Sequence, residues 1–317
     1  RYKEPRCRIY RALVESKSHQ KEVEGIMIEG VLPALITPFS KDNRVDKDGM
    51  RQNIEYLIDG GISGVVPCGT TGEAATLSIH EHEKVIEYAV EFSSVPVVAG
   101  TGSNNTIEAL ELTKFAHDAG ADAALLITPY YNKPNDSGML KHFMTIADGV
   151  DIPIIIYNVP SRTGINLKPE LTAKLAKVSN IVGIKEASGS LDQVTRIIEL
   201  TKGEDFAVLS GDDGLTLPIL SIGGSGVISV VANVAPKLVV SMFEAFRNGE
   251  REKARELHLA LAPLIRAMFL ETNPIPVKKA VELIGLPAGN LRLPLAPISI
   301  DNEKKLKAAL NDLHLIK

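Results

Sequence analysis

A lysine closes a short apolar run in Ile181-Val182-Gly183-Ile184-Lys185-Glu186-Ala187. Burial disfavours the charged form of such an amine and lowers its pKa, and a neutral amine is a nucleophile that forms Schiff bases with carbonyl compounds. The same lysine could instead carry its head to solvent or pair with Glu186. Other residues weigh for the first reading. Imine chemistry needs a group that passes protons, and Tyr157 ends the preceding apolar run. A carboxylate on the carbonyl compound needs donors. Gly69-Thr70-Thr71-Gly72-Glu73 offers backbone N–H groups and two hydroxyls, and Arg162 offers a bidentate fork for a second carboxylate. Each has a plainer alternative: a packed tyrosine, an ordinary Gly-rich turn, a surface ion pair.

These residues need a scaffold that brings strand ends together. Eight short apolar runs read as strands: Val31–Ile36, Gly64–Pro67, Pro96–Ala99, Ala123–Ile127, Pro153–Tyr157, Ile181–Lys185, Ala207–Leu209 and Gly226–Val230. Helical patterns lie between them. Ser78-Ile79-His80-Glu81 is a capping box opening a helix over Ile79–Phe92. Leu171, Leu175 and Val178 mark a helix face behind Pro169, and Ile197, Ile198 and Leu200 mark another. Gly60-Gly61 and Gly120 are stop signals. Eight βα units predict an α/β fold with a closed (β/α)8 TIM barrel over residues 27–249, whose active site lies at the C-terminal strand ends. Residues 250–317 read as an all-helical appendage: Arg251–Met268, Val277–Ile284 and Asn302–Leu313, with a break at Asn273-Pro274-Ile275-Pro276.

Composition excludes several classes. The net charge is −4 with both signs mixed along the chain, which predicts no nucleic-acid partner. No apolar stretch is long enough to span a bilayer, so no membrane association is expected. Neither a dinucleotide fingerprint nor a P-loop occurs. Two cysteines, Cys7 and Cys68, give no disulfide framework and fit a cytoplasmic enzyme. Asp212-Asp213 lacks a histidine cluster, and His80 and His82 lie on different faces of one helix, so no metal is expected. Residues 1–26 carry seven Lys/Arg against four Asp/Glu and no core pattern. They read as a poorly ordered, upstream-translated or cloning-derived extension, with Met27 opening the folded segment.

From Met27 onward the combination resembles the pyruvate-dependent class I aldolase family that includes the N-acetylneuraminate lyases and the dihydrodipicolinate synthases. The Thr70-Thr71 pair, Arg162 within Tyr157-Asn158-Val159-Pro160-Ser161-Arg162-Thr163-Gly164, and Asn273-Pro274-Ile275-Pro276-Val277-Lys278 resemble the synthase branch. The sialate lyases usually have Ser-Thr in the loop and lack the arginine. The resemblance implies a lyase that condenses pyruvate, held as a Schiff base on Lys185 and needing no other cofactor, with L-aspartate 4-semialdehyde. The product is 4-hydroxy-tetrahydrodipicolinate, at the entry to the diaminopimelate route to lysine. It implies that Thr70 and Thr71 hold the pyruvate carboxylate and that Arg162 meets the aldehyde's carboxylate. Gly211 and Ile228 line the pocket, and Tyr157, Thr71 and Tyr131 relay protons. The residue matching Tyr131 comes from a neighbouring subunit in the family, implying a homo-oligomer, usually a homotetrameric dimer of dimers. His82, Asn104, Glu108 and Tyr130 match an effector site for lysine. Ala74 and Ile79 replace polar residues there, so weak or absent feedback inhibition is expected. Two other readings use the same scaffold: an aldolase for 2-keto-3-deoxy sugar acids or sialate, and a non-catalytic barrel.

Overall fold

A computed structural model of the chain describes residues 28–316. The extension expected over residues 1–26 lies outside them. In chain order the elements are β1 (Gly30–Pro33), α1 (Lys47–Asp59), α2 (Ile79–Phe92), β2 (Val98–Gly100), α3 (Thr106–Asp118), β3 (Ala123–Ile127), α4 (Asp136–Gly149), β4 (Ile154–Asn158), α5 (Pro160–Thr163), α6 (Pro169–Leu175), β5 (Ile181–Glu186), α7 (Leu191–Leu200), β6 (Ala207–Ser210), α8 (Thr216–Ser221), β7 (Gly226–Ser229), α9 (Pro236–Arg247), α10 (Arg251–Ala267), α11 (Ile275–Leu283) and α12 (Ile300–Asp312).

The seven strands form one parallel sheet in the order β1-β7-β6-β5-β4-β3-β2. Residues 64–67, expected as a strand, do not form a ladder of their own. Proline at 67 has no N–H to give, and pairing is limited to single bridges. Those bridges nevertheless run both ways. Val66 N–H donates to Pro33 O and Leu35 N–H to Val66 O, each at 2.9 Å; on the other side Val98 N–H donates to Val65 O and Gly100 N–H to Pro67 O, each at 2.9 Å.

Parallel sheets are covered on both faces, and this one is. Leu32, Val66, Val98, Leu125, Ile155, Tyr157, Leu209 and Ile228 share an inner cluster. Facing the helices instead, Leu126, Ile154, Ile156, Ile184 and Val208 pack with Phe143 of α4, Leu171 of α6 and Ile197 of α7. Between β4 and β5 the register slips by one: Ile154 pairs with Ile181, but Ile155 pairs with Gly183. Val182 is therefore the extra residue of a β-bulge. Beyond it, Tyr157 pairs with Lys185 and Asn158 with Glu186. Gly226 is required where β7 meets β1, since a Cβ there would lie 2.1 Å from Gly30 O.

The capping box forms as expected, with Ser78 and Glu81 bonding reciprocally, and α2 spans the expected residues. The C-terminal helices α10, α11 and α12 share a core with α9 and β7, in which Leu261, Val277, Val281 and Leu306 pack with Val227, Val231 and Phe243. A buried ion pair ties them to the Gly69–Glu73 loop. Lys278 Nζ of α11 lies 2.8 Å from Glu73 Oε1, and both side chains are almost fully buried. Arg292 N–H donates to Glu73 Oε2 at 3.0 Å, and Lys278 also donates to Asn290 O at 2.8 Å. Both cations lie against the Phe39 ring, with Lys278 Nζ 4.3 Å and the Arg292 guanidinium 4.1 Å from its centroid. Glu73 itself has φ 54°, a left-handed conformation uncommon for a side-chain-bearing residue. Removing one partner of such a pair strands the other charge. Lys278→Met is expected to lower the unfolding free energy by about 3–5 kcal/mol, and the double variant Glu73→Gln/Lys278→Met by less, in matched denaturant titrations.

Candidate active site

Two lysines are buried among the described residues, Lys185 and Lys278. Lys278 has its carboxylate at 2.8 Å. Lys185 is left without one at hydrogen-bonding distance; Asp213 acts on it only through its field. Burial lowers the Lys185 pKa to about 7, the Asp213 carboxylate opposes that shift, and the Arg162 guanidinium adds to it. Of the two, only Lys185 offers an unengaged amine at neutral pH. Its position follows from the strand period: with Glu186 facing the helices, Lys185 faces inward. There its Nζ lies 4.2 Å from the centroid of the Tyr157 ring.

Tyr157 is 8 % exposed. Burial raises the pKa of its phenol, while the Arg162 charge and a hydrogen bond with the Thr70 side chain act in the opposite direction. Of the two loop threonines, Thr70 is thus the one beside the phenol. The Thr71 hydroxyl is buried and accepts a hydrogen bond from Asn273 Nδ2 at 3.0 Å. The resemblance implies Thr71 in the relay with Tyr157; the threonine hydroxyl bonded to Tyr157 in the structure is that of Thr70, while Thr71 Oγ1 accepts from Asn273.

Arg162 lies on the short helix α5, and its Nη2 donates to Asn273 O at 2.9 Å. Asn273 therefore holds both Thr71 and Arg162, and its own Oδ1 is buried without a partner. Gly211 sits against the lysine: a Cβ at 211 would lie 3.2 Å from Lys185 Cε and 2.7 Å from Ala187 Cβ. Gly211 N–H donates to Glu186 O at 2.8 Å, fixing β6 against β5. Ile228 is 1 % exposed in the same inner cluster as Tyr157. Lys185, Tyr157, Thr70, Arg162, Gly211 and Ile228 thus converge from the ends of different strands and their following loops. Tyr131 does not join them within one chain; it is 88 % exposed, at φ 69°.

Two residues of the site escaped sequence reasoning. Asn273 was visible only as part of a Pro-rich break, and its second role, through the backbone carbonyl, leaves no trace in a sequence. Asp213 was weighed only as a metal ligand. It is buried and takes hydrogen bonds from Ser229 Oγ at 2.5 Å, Val230 N at 2.9 Å and Val231 N at 3.2 Å, while burial raises its pKa. No group of three His, Cys, Asp or Glu suited to a metal occurs among the described residues. Among those same residues no helix is long and apolar enough to cross a membrane.

The residues matched to an effector site lie close to one another in part. Asn104 Nδ2 donates to Tyr130 O at 3.2 Å, and Glu108 accepts from Ser103 Oγ at 3.0 Å. His82 is buried with Nε2 2.7 Å from Gly100 O; burial lowers its pKa, opposed by that carbonyl and by the Glu108 charge. Ile79 is half exposed.

The model of the dihydrodipicolinate synthetase family matches residues 27–313. The 4-hydroxy-tetrahydrodipicolinate synthase of Methanothrix thermoacetophila is 63 % identical over 287 residues, covering 90 % of this chain and 97 % of that protein. The crystal structure of dihydrodipicolinate synthase from Aquifex aeolicus superposes with a TM-score of 0.88 at 46 % identity, over 91 % of this chain and 99 % of that one. The chloride-inhibited dihydrodipicolinate synthase of Acinetobacter baumannii, complexed with pyruvate, superposes at 0.89 with 42 % identity, over 91 % and 100 %. A chain with a seven-stranded parallel sheet and an unpaired buried lysine beside a tyrosine, matched over nearly its whole described length, belongs to the dihydrodipicolinate synthetase family.

Proposed function

We propose that this chain is a lyase that condenses pyruvate with L-aspartate 4-semialdehyde to give 4-hydroxy-tetrahydrodipicolinate. The observation that carries the proposal is the unpaired, buried amine of Lys185 against Tyr157. The amine adds to the ketone carbon of pyruvate, and one water leaves as the imine forms. Loss of a methyl proton gives the enamine, whose carbon attacks the aldehyde. The amine of the second substrate then displaces Lys185 from the imine carbon, closing the ring and freeing the lysine. No other cofactor enters this sequence. Tyr157 donates and accepts the protons, and Thr70, hydrogen-bonded to it, serves as the next group in the relay. The Thr70-Thr71 loop holds the pyruvate carboxylate, and Arg162 holds that of the aldehyde. Gly211 leaves room beside Lys185 Cε for the adduct.

The scaffold reading is a closed (β/α)8 barrel over 27–249 followed by a helical appendage over 250–317. Hydrogen bonds from residues 65–67 to both β2 and the end of β1 support the closure. The chain acts as a homo-oligomer, a dimer of dimers in the cytoplasm, in which Tyr131 of one copy completes the relay of another. The exposure of Tyr131 in a single chain supports that assignment.

Borohydride added with pyruvate is expected to leave one reduced adduct, mapped by mass to Lys185 and absent from Lys185→Met. The reactive form is the free amine. The initial rate of imine formation therefore rises about tenfold per pH unit up to roughly 7 and levels above it. A folded protein that binds pyruvate without forming an adduct overturns the reading. Arg162→Leu removes a charge-assisted hydrogen bond to the second substrate. It is expected to keep pyruvate trapping while kcat/KM for the aldehyde falls about 10- to 100-fold. L-lysine is expected to inhibit weakly or not at all, since Ile79 and Ala74 put apolar groups where a charged effector needs partners; a titration showing inhibition at micromolar concentrations contradicts this.

A further inference from the structure

On the outer side of the strands that carry Lys185 and Tyr157 lies a second polar pair. Tyr157 and Lys185 are register partners, and so are the next residues, Asn158 and Glu186. Alternation turns the first pair inward and the second toward the helices. Asn158 is fully buried and Glu186 is 2 % exposed. A buried carboxylate ordinarily takes a cation, and this one is surrounded by neutral donors. Ser188 N–H donates to Oε1 at 2.6 Å, Asn158 Nδ2 to Oε2 at 2.9 Å and Gln193 Nε2 to Oε2 at 3.3 Å. All three partners are donors, so the position calls for a group that only accepts.

The same side chains hold the segment that bears Arg162. Asn158 Oδ1 accepts from Leu167 N–H at 2.9 Å, and Asn158 Nδ2 also donates to Asn166 Oδ1 at 2.8 Å. Gln193 of α7 exchanges two hydrogen bonds with Asn166, at 2.8 and 3.0 Å. Residues 158 and 166–167 are the two ends of the excursion that carries α5, and they are fastened together and to the residue following Lys185. No part of this network touches a substrate position, and the reaction as described does not use it.

We propose that Glu186, with Asn158 and Gln193, is a positioning residue for the condensation, fixing the imine-bearing lysine relative to both the Tyr157 phenol and the Arg162 guanidinium. The proposal rests on the synthase reading above. Glu186→Gln keeps size and shape but turns an amide N–H2 toward donors. Asn158→Asp added to it restores the match: the glutamine amide donates to the aspartate, and the Asn166 and Gln193 amides turn over together, so that Asn166 donates to the aspartate and Gln193 accepts from the glutamine. Gln193→Ala loosens the attachment of residues 166–167 from a partly exposed helix position.

The experiment measures, in the full-length protein, the fraction of chains trapped by pyruvate and borohydride, kcat per trappable site, and KM for the aldehyde. Glu186→Gln is expected to trap pyruvate while kcat per trappable site falls about 10- to 100-fold and the aldehyde KM rises. The double variant is expected to recover about tenfold of the loss. Gln193→Ala is expected to raise the aldehyde KM about threefold or more, with kcat per trappable site little changed. A purely structural role would lower the trappable fraction and Tm without moving either normalised constant. That result, or a double variant no better than the single, overturns the proposal. Should Glu186→Gln not fold, Gln193→Ala decides: an aldehyde KM within about twofold of the parent sinks it. A parent that forms no adduct fails the synthase reading itself, whereas an active parent with unaffected variants fails only this inference.

Discussion

Glu73 and Lys278 form the contact on which the arrangement of the site depends. Neither charge is tolerable alone in a dry interior, so each obliges the other to stay. Glu73 follows directly on the loop of Thr70 and Thr71, and Lys278 lies five residues past Asn273, on the helix that Asn273 precedes. One ion pair therefore fixes the C-terminal helices against the strand-end loop, and Asn273 against Thr71 and Arg162. Arg292 extends the clamp, accepting no compromise in position because it bonds Glu73, Glu81 and the Thr76 and Asn43 carbonyls at once. Its side-chain hydrogen bonds, with help from the Ser78 N–H, hold the Glu81 carboxyl down to about 2, so the capping box of α2 is locked into the same network.

The contrast between the two buried lysines explains how one chain keeps an inert amine and a reactive one. Burial and the Arg292 charge lower the pKa of Lys278 as well, but the Glu73 carboxylate at 2.8 Å opposes them, and a carbonyl at 2.8 Å and an aromatic face engage its ammonium directly. Lys185 has the aromatic face of Tyr157 but no direct anion, and the nearest guanidinium repels a proton. Asp213, which could have neutralised the difference, is kept occupied by Ser229 and two backbone N–H groups. The same side-chain type thus has opposite chemistry because of what was placed at about 3 Å from it.

Most of this was legible where local rules suffice. The capping box set α2 to the residue, and apolar runs bounded by turns located β3 and β5 within a residue. The N-terminus of α12 is two residues earlier than expected, because Ser299 starts it without a side-chain cap. Helix α5 went unread: four residues between Pro160 and a left-handed Gly164 are too few to show periodicity. Lys185, Tyr157 and Arg162 could be picked out because their types are costly at strand ends. The resemblance puts Thr71 rather than Thr70 beside the phenol, and the residues alone offer no correction, since adjacent residues of a loop differ in direction rather than in chemistry. Asn273 was invisible as a hub because one of its two contacts uses only its backbone.

The β-bulge at Val182 gives the chain a parity. Val182 packs toward the inner cluster and Ile184 toward the helices, so the extra residue is what leaves Lys185 on the inside. The same sequence paired without the bulge, in continuous register from Ile154 and Ile181, would set Ile184 beside Tyr157 and Lys185 beside Asn158, presenting Glu186's carboxylate to the interior and burying the amine among the helices. Whether this scaffold holds a nucleophile or an acid at its centre is thus decided three residues upstream, by whether a count is odd or even. A one-residue shift of pairing there, with no substitution at the lysine, separates a chain of this fold that makes imines from one that cannot.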